Sequence, residues 1–309
     1  MSLNNGSTNI NKETLIKAKK REEVWGWFLV APTLFALVIL NFYPALKSLI
    51  LSFQHVSTFG GSKWVGLNNY IEIFTDGKFW DSLKNTLIYT IFQVPITVSL
   101  SILFAAMLNS KIKFKGIYRT IFFLPMVAAP AAVAMIWKWL FNSNFGLINI
   151  ILGFFNIEGP QWLSNPDIAI WTIIIVGIWS QVGYNMIILL GGLQDIPVAY
   201  YEAANIDGAS GLDKFFKITL PLLSPQIFLV MLTSFMGGIQ VFDSVYMMFE
   251  TTNPAYYKVQ TVMALFFQES FSYDNKGYGS AIAVVVVAII MVLTVIQWKV
   301  QDKWVYYEK

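Results

Sequence analysis

The sequence has no cysteine and a single histidine. Disulfide and thiol chemistry are thereby excluded, and His55 has no second His or Cys with which to complete a metal site, so it reads as an ordinary loop residue. Charge is scarce as well: 13% of residues are Asp, Glu, Lys or Arg, against 56% hydrophobic. A soluble domain of 309 residues needs far more charge to cover its surface. The net charge of +3 gives no sign of a nucleic-acid partner. No phosphate-binding loop of the form G-x-x-x-x-G-K-[ST] occurs, since Gly60-Gly61-Ser62-Lys63 lacks the spacing. No Ser/His/Asp set and no paired carboxylates fall within the apolar runs, which argues against an enzyme.

What is present is a series of long apolar runs. A helix needs about 20 mostly apolar residues to cross a bilayer core. Six stretches qualify: 24–43, 83–108, 117–139, 168–193, 222–248 and 279–298. The expected fold is therefore an all-α polytopic bundle of six transmembrane helices surrounded by membrane lipid. Residues 1–23 precede a membrane domain over 24–298, and 299–309 form a tail. Internal prolines such as Pro95, Pro125 and Pro130 are tolerable, because neighbouring helices can satisfy the freed carbonyls. Residues 13–23 are charged and helix-forming; before Asn11 a frayed tail is an equal alternative.

Orientation follows the placement of Lys and Arg. With the N-terminus inside, 14 of the 21 basic residues fall on the cytoplasmic side, close to the spans. Both termini are thus expected in the cytoplasm. Two outer segments stand out. Residues 141–166 contain an apolar amphipathic stretch, 146–155, too short to span and expected to lie flat. Residues 250–276 are expected to be exposed. The spans themselves carry almost no charge: Lys84 and Lys138 lie at span ends, leaving Asp243 as the only acid well inside one. Carriers driven by protons or sodium keep ionisable groups inside their spans, so energy supplied by a partner chain fits better.

The segment 195–221, between spans four and five, faces the cytosol in this reading. Asp195 followed by Pro197 is a helix-start signal, Gly208 a helix breaker, and Pro221 marks the return into the membrane. Two short helices joined at a glycine elbow are expected.

Within it, Glu202-Ala203-Ala204, then Gly208, then Ile218-x-Leu220-Pro221 resemble the EAA motif of binding-protein-dependent ABC importer permeases, at the family's spacing. Asn85-Thr86, Leu124-Pro125, Phe141-Asn142, Gln161-Trp162-Leu163-Ser164-Asn165-Pro166 and Gly191 to Pro197 extend the resemblance over most of the chain. They are similar to the maltose-, lactose- and multiple-sugar-type permeases. A departure is Glu250-Thr251-Thr252-Asn253-Pro254, where relatives often have a Gly-Gly-Pro turn.

The resemblance implies a type I ABC importer permease fold in a bacterial or archaeal cytoplasmic membrane. It implies that Glu202, Ala203, Ala204, Asp207, Gly208, Ile218, Leu220 and Pro221 couple the chain to an ATPase. The implied partners are a second homologous permease, two copies of the nucleotide-binding subunit and an extracytoplasmic sugar-binding protein. The chain itself then needs no cofactor, ATP and Mg being bound by the ATPase. By position, the resemblance places solute contacts at Gly177, Ser180, Gln181 and Tyr184 in span four, and at Ser234, Gly237 and Gly238 in span five. Asp243 is the further polar candidate. Gly and Ser are also ordinary packing residues between membrane helices, so both roles stay open. With no cation mid-span, a neutral sugar is favoured over a phosphate ester such as glycerol phosphate; an ATP-independent carrier is the remoter reading.

Overall fold

The computed structural model describes residues 6–57, 61–110 and 112–306, with side chains from Ala18 onward. Helix α1 (Gly6–Leu37) runs through a π turn (Val38–Phe42) into α2 (Tyr43–Leu51). The helix continues without interruption through the charged segment ahead of the first span, while residues 1–5 lie outside the described residues. Along 18–51 its apolar window is entirely unburied within this chain. A hairpin follows, β1 (Gln54–Val56) paired antiparallel with β2 (Ser62–Trp64), His55 opposite Lys63. His55 is therefore an exposed strand residue rather than part of a loop. Asn69, on α3 (Asn68–Thr75), donates through Nδ2 to the carbonyls of Ser52 (2.8 Å) and Gln54 (3.0 Å), which holds the hairpin down.

The long helix α4 (Gly77–Asn109) is capped by the Asp76 side chain, which accepts from the Lys78 N–H. The third span departs from the straight helix expected. It is α5 (Lys115–Val127) and α6 (Pro130–Leu140), bent by 99°. Pro130 lacks the N–H that would continue the ladder, and the residue before a proline is driven out of the α region; Ala129 has ψ 130°. Next come α7 (Leu147–Phe154) and α8 (Ala169–Asp195). Asp195 ends α8 rather than capping the next helix; Pro197 stands at that cap.

The elbow comprises α9 (Val198–Ile206), α10 (Gly211–Lys214), a π turn (Phe215–Thr219) and α11 (Leu220–Leu222). The fifth span is α12 (Ser224–Ile239), which stops at Gln240. A separate α13 (Asp243–Met248) replaces the single helix expected to Met248, and the Thr261 hydroxyl captures the freed Val241 carbonyl at 2.8 Å. Residues 250–276 are not simply exposed. Their helices α14 (Tyr256–Val259) and α15 (Val262–Phe267) turn Val259, Val262 and Leu265 into the core. A π turn (Gln268–Ser272) leads to α16 (Lys276–Gln301).

Among the described residues, four helices are long and apolar enough to cross a membrane, or six if each bent pair counts as one span. Three apolar clusters hold the bundle. One joins Val94, Val98, Met186, Leu189 and Ile227 near the elbow, one joins Ile173, Phe141 and Val245 at the opposite end, and one packs Phe79, Leu265 and Ile282 around α16.

Candidate functional site: an exposed elbow below a polar seam

The elbow presents Glu202, Ala203, Asp207 and Gly208 to the surface, with Ala204 buried against the bundle. Ile206 and Leu212 are 87% and 73% exposed, so an apolar rim surrounds the turn. The elbow thus holds large apolar side chains out from the bundle beside its charged ones. Gly208 sits at φ +74°, and the Ala209 N–H reaches back to the Ala204 carbonyl at 2.9 Å, closing α9 in a left-handed turn. Ile218 and Leu220 are half-buried, and Pro221 is exposed on α11.

Both arms of the elbow are braced. The Ser210 hydroxyl accepts from the Asp213 N–H at 3.1 Å, capping α10, while Lys217 reaches Asp213 at 2.7 Å. Hydrogen bonds from Lys217 and then Ser210 hold the Asp213 carboxyl down at about 2, so it stays ionised at physiological pH. Lys214 donates to the Asn205 side chain across the arms, and the hydroxyls of Tyr201 and Thr219 lie 2.9 Å apart. Below the elbow the tail folds back, with the Tyr306 N–H donating to Ser224 Oγ at 2.8 Å. Removing the cap with Ser210→Ala is expected to cost about 1 kcal/mol locally. Faster hydrogen exchange at the amides of α10, with α8 unchanged, is the result to look for.

The other candidates lie along α8 and α12. On α8 the residues Gly177, Ser180, Gln181 and Tyr184 share one face by helical spacing, as do Ser234, Gly237 and Gly238 on α12. The structure brings these faces together. Asn185 Nδ2 donates to Ser234 Oγ at 3.0 Å, and a Cβ on Gly237 would lie 3.7 Å from Gln181 Nε2. Asp243 stands apart from these faces along the chain, exposed at the start of α13 and beyond the break that ends α12.

Helix α4 forms a third wall, which the sequence motifs mark only at Asn85-Thr86. Its Ser82, Thr86, Thr90, Gln93, Thr97 and Ser101 are all at most 2% exposed. Their spacing of three or four residues is the available signal, a polar stripe running down an otherwise apolar helix. Gln93 Nε2 donates to Gln181 Oε1 at 2.8 Å and to Thr97 Oγ1 at 3.0 Å. Ser101 donates to the Thr97 and Val182 carbonyls. Two glycines serve this wall as notches: a Cβ on Gly177 would lie 2.0 Å from the Tyr89 hydroxyl, and one on Gly238 3.0 Å from Thr90. They let α4 approach, which is a packing role.

Over residues 77–305 the chain matches the family described as Binding-protein-dependent transport system inner membrane component. The chain belongs to this family. It is accordingly a membrane-embedded transport subunit and not an enzyme. Among its relatives is the arabinooligosaccharides transport system permease protein AraP of Halalkalibacterium halodurans, 34% identical over 89% of this chain and 87% of that one. The lactose transport system permease protein LacF of Rhizobium radiobacter is 35% identical over 91% and 95%. In three dimensions the chain resembles one from a crystal structure of a bacterial alginate ABC transporter bound to its alginate-loaded periplasmic protein. The TM-score is 0.83 at 19% identity, covering 93% of this chain and 96% of the other, which establishes a shared ABC permease fold.

Proposed function

We propose that the chain is one half of the membrane pathway of an ATP-driven importer for a neutral sugar or oligosaccharide. The observation that carries this reading is the connectivity of the elbow: it links α8 directly to α12, the two helices whose polar faces meet at Asn185 and Ser234. An ATPase subunit docked on Glu202, Ala203 and the Gly208 turn moves both helices at once. The brace between Lys214 and Asn205 keeps the two arms from yielding independently. Closure of two ATPase subunits on ATP would then be felt as a displacement of α8 against α12, alternately opening the seam to either side of the cytoplasmic membrane.

ATP and Mg belong to the partner ATPase in this scheme. A second, homologous permease supplies the other half of the pathway, and an extracytoplasmic binding protein delivers the solute. Both termini and the elbow lie in the cytoplasm, in keeping with the distribution of Lys and Arg. The sugar assignment rests on the names of the lactose and arabinooligosaccharide relatives, together with a seam whose polar groups are hydroxyls and amides with no charge among them.

The complex, co-produced and reconstituted in liposomes with its binding protein, should take up radiolabelled lactose or arabinotriose only when ATP is inside. Uptake of glycerol 3-phosphate in place of either sugar would replace the solute. A chain that never copurifies with an ATPase would overturn the importer itself.

A further inference from the structure

The buried groups of the seam are not all satisfied. Gln93 is 1% exposed and uses its Nε2 twice, yet its Oε1 has no partner among the described residues. Asn185 is fully buried, gives its Nδ2 to Ser234, and its Oδ1 also stands alone. A buried carbonyl without a donor costs about 1–3 kcal/mol, and such groups in native structures call for an explanation. Both orphans are acceptors. Gln93 bonds to Gln181 from α4, and Asn185 lies one turn beyond Gln181 on α8.

We propose that Gln93 is a specificity-determining residue of the translocation path: its side-chain carbonyl, together with that of Asn185, accepts hydroxyl hydrogens of a passing solute. The hydrogen bond from Gln93 to Gln181 is then the closed form of the seam. Two acceptors lacking donors select a neutral, donor-rich ligand, which is the chemistry of a sugar ring. They offer nothing to a carboxylate or a phosphate, whose oxygens are acceptors as well. When α8 shifts against α4, Gln181 leaves the Gln93 Nε2, which Thr97 still holds, and solute hydroxyls donate to the Gln93 and Asn185 carbonyls that lack a donor in the closed form. Thr97, fully buried and bonded to the same Nε2, keeps the Gln93 amide turned into the seam throughout. The inference rests on the sugar-importer reading and narrows it to a residue that lies outside the sequence motifs.

The test uses the complete importer in proteoliposomes, with sugar-loaded binding protein and radiolabelled lactose and arabinotriose as probes. Two quantities are followed: ATP hydrolysis stimulated by the binding protein, and sugar molecules moved per ATP hydrolysed. In Gln93→Leu the sugar moved per ATP hydrolysed should fall about ten-fold, the effect of one hydrogen bond of ordinary strength. Gln93→Asn, which keeps the amide on a shorter stem, should recover part of the loss. If Gln93→Leu fails to assemble, the near-isosteric Gln93→Met is judged by the same two numbers. An unchanged ratio of sugar to ATP overturns the assignment. So does a parallel fall in stimulation and uptake, since that marks a purely structural residue. A wild-type importer that moves neither sugar removes the sugar reading itself, and the assignment falls with it.

Discussion

Gly208→Val is expected to reduce ATP hydrolysis stimulated by the loaded binding protein by more than about ten-fold while leaving the chain folded in the membrane. The physical basis is narrow. Gly208 stands at φ +74°, where an ordinary side chain costs about 1–2 kcal/mol and a β-branched one more. A Cβ added there would meet nothing within 4 Å beyond its immediate neighbours, so the penalty comes from backbone strain and not from collision. The cheapest relief is to re-angle α10 against α9, and that moves Glu202 and the exposed Ile206 out of register with whatever they dock on. Gly208→Asn makes the matching control, because asparagine tolerates the left-handed region and should retain most of the activity. Stimulated ATPase assays on the assembled complex decide it. If valine behaves as wild type, the elbow does not transmit the ATPase stroke.

Gly183→Val should have the opposite signature, loss of the folded chain rather than loss of coupling. A Cβ at Gly183 would lie 1.7 Å from the Phe122 carbonyl oxygen and 2.4 Å from its carbon, both backbone atoms of α5. Backbone cannot rotate aside as a side chain can, so α5 and α8 must separate, and overpacking of this kind costs about 3 kcal/mol or more. Gly237→Ala provides the contrast. Its nearest neighbour is the flexible Gln181 amide at 3.7 Å, an ordinary contact, and the variant should fold as wild type. Yield of monodisperse protein after detergent extraction, and its resistance to protease, separate the two. Equal behaviour of Gly183→Val and Gly237→Ala would mean that α5 does not pack on α8 as described.

Much of this architecture is legible in the sequence for definite reasons. Six apolar runs are a property of composition, and the elbow carries a breaker, a fixed spacing and a return proline. The polar residues of α8 stand out because Ser180, Gln181, Tyr184 and Asn185 fall close together. The stripe on α4 does not, because Thr86, Thr90, Gln93 and Thr97 are spread one per turn and hydropathy averages over them. The breaks at Ala128–Pro130 and at Gln240–Phe242 are hidden for another reason. A proline permits a bend without requiring one, and what fixes these bends is the partner that meets the freed backbone, such as Thr261 at the Val241 carbonyl. Burial within residues 250–276 escapes a hydropathy reading because short apolar pieces such as Val262–Phe267 carry no span-length signal, yet find room between α4 and α16. Asp243 reads as intramembrane only if α12 continues through it, and α12 stops three residues short.

The bend between α5 and α6 has a bearing on what can surround it. A segment turned through 99° exposes peptide groups that no helix of its own can pair, and hydrocarbon offers them nothing. Protein must therefore surround this bend, and α8 lies close by, where Gly183 leaves room for the Phe122 backbone. The third span is thus expected at a protein-lined position in the membrane rather than against lipid.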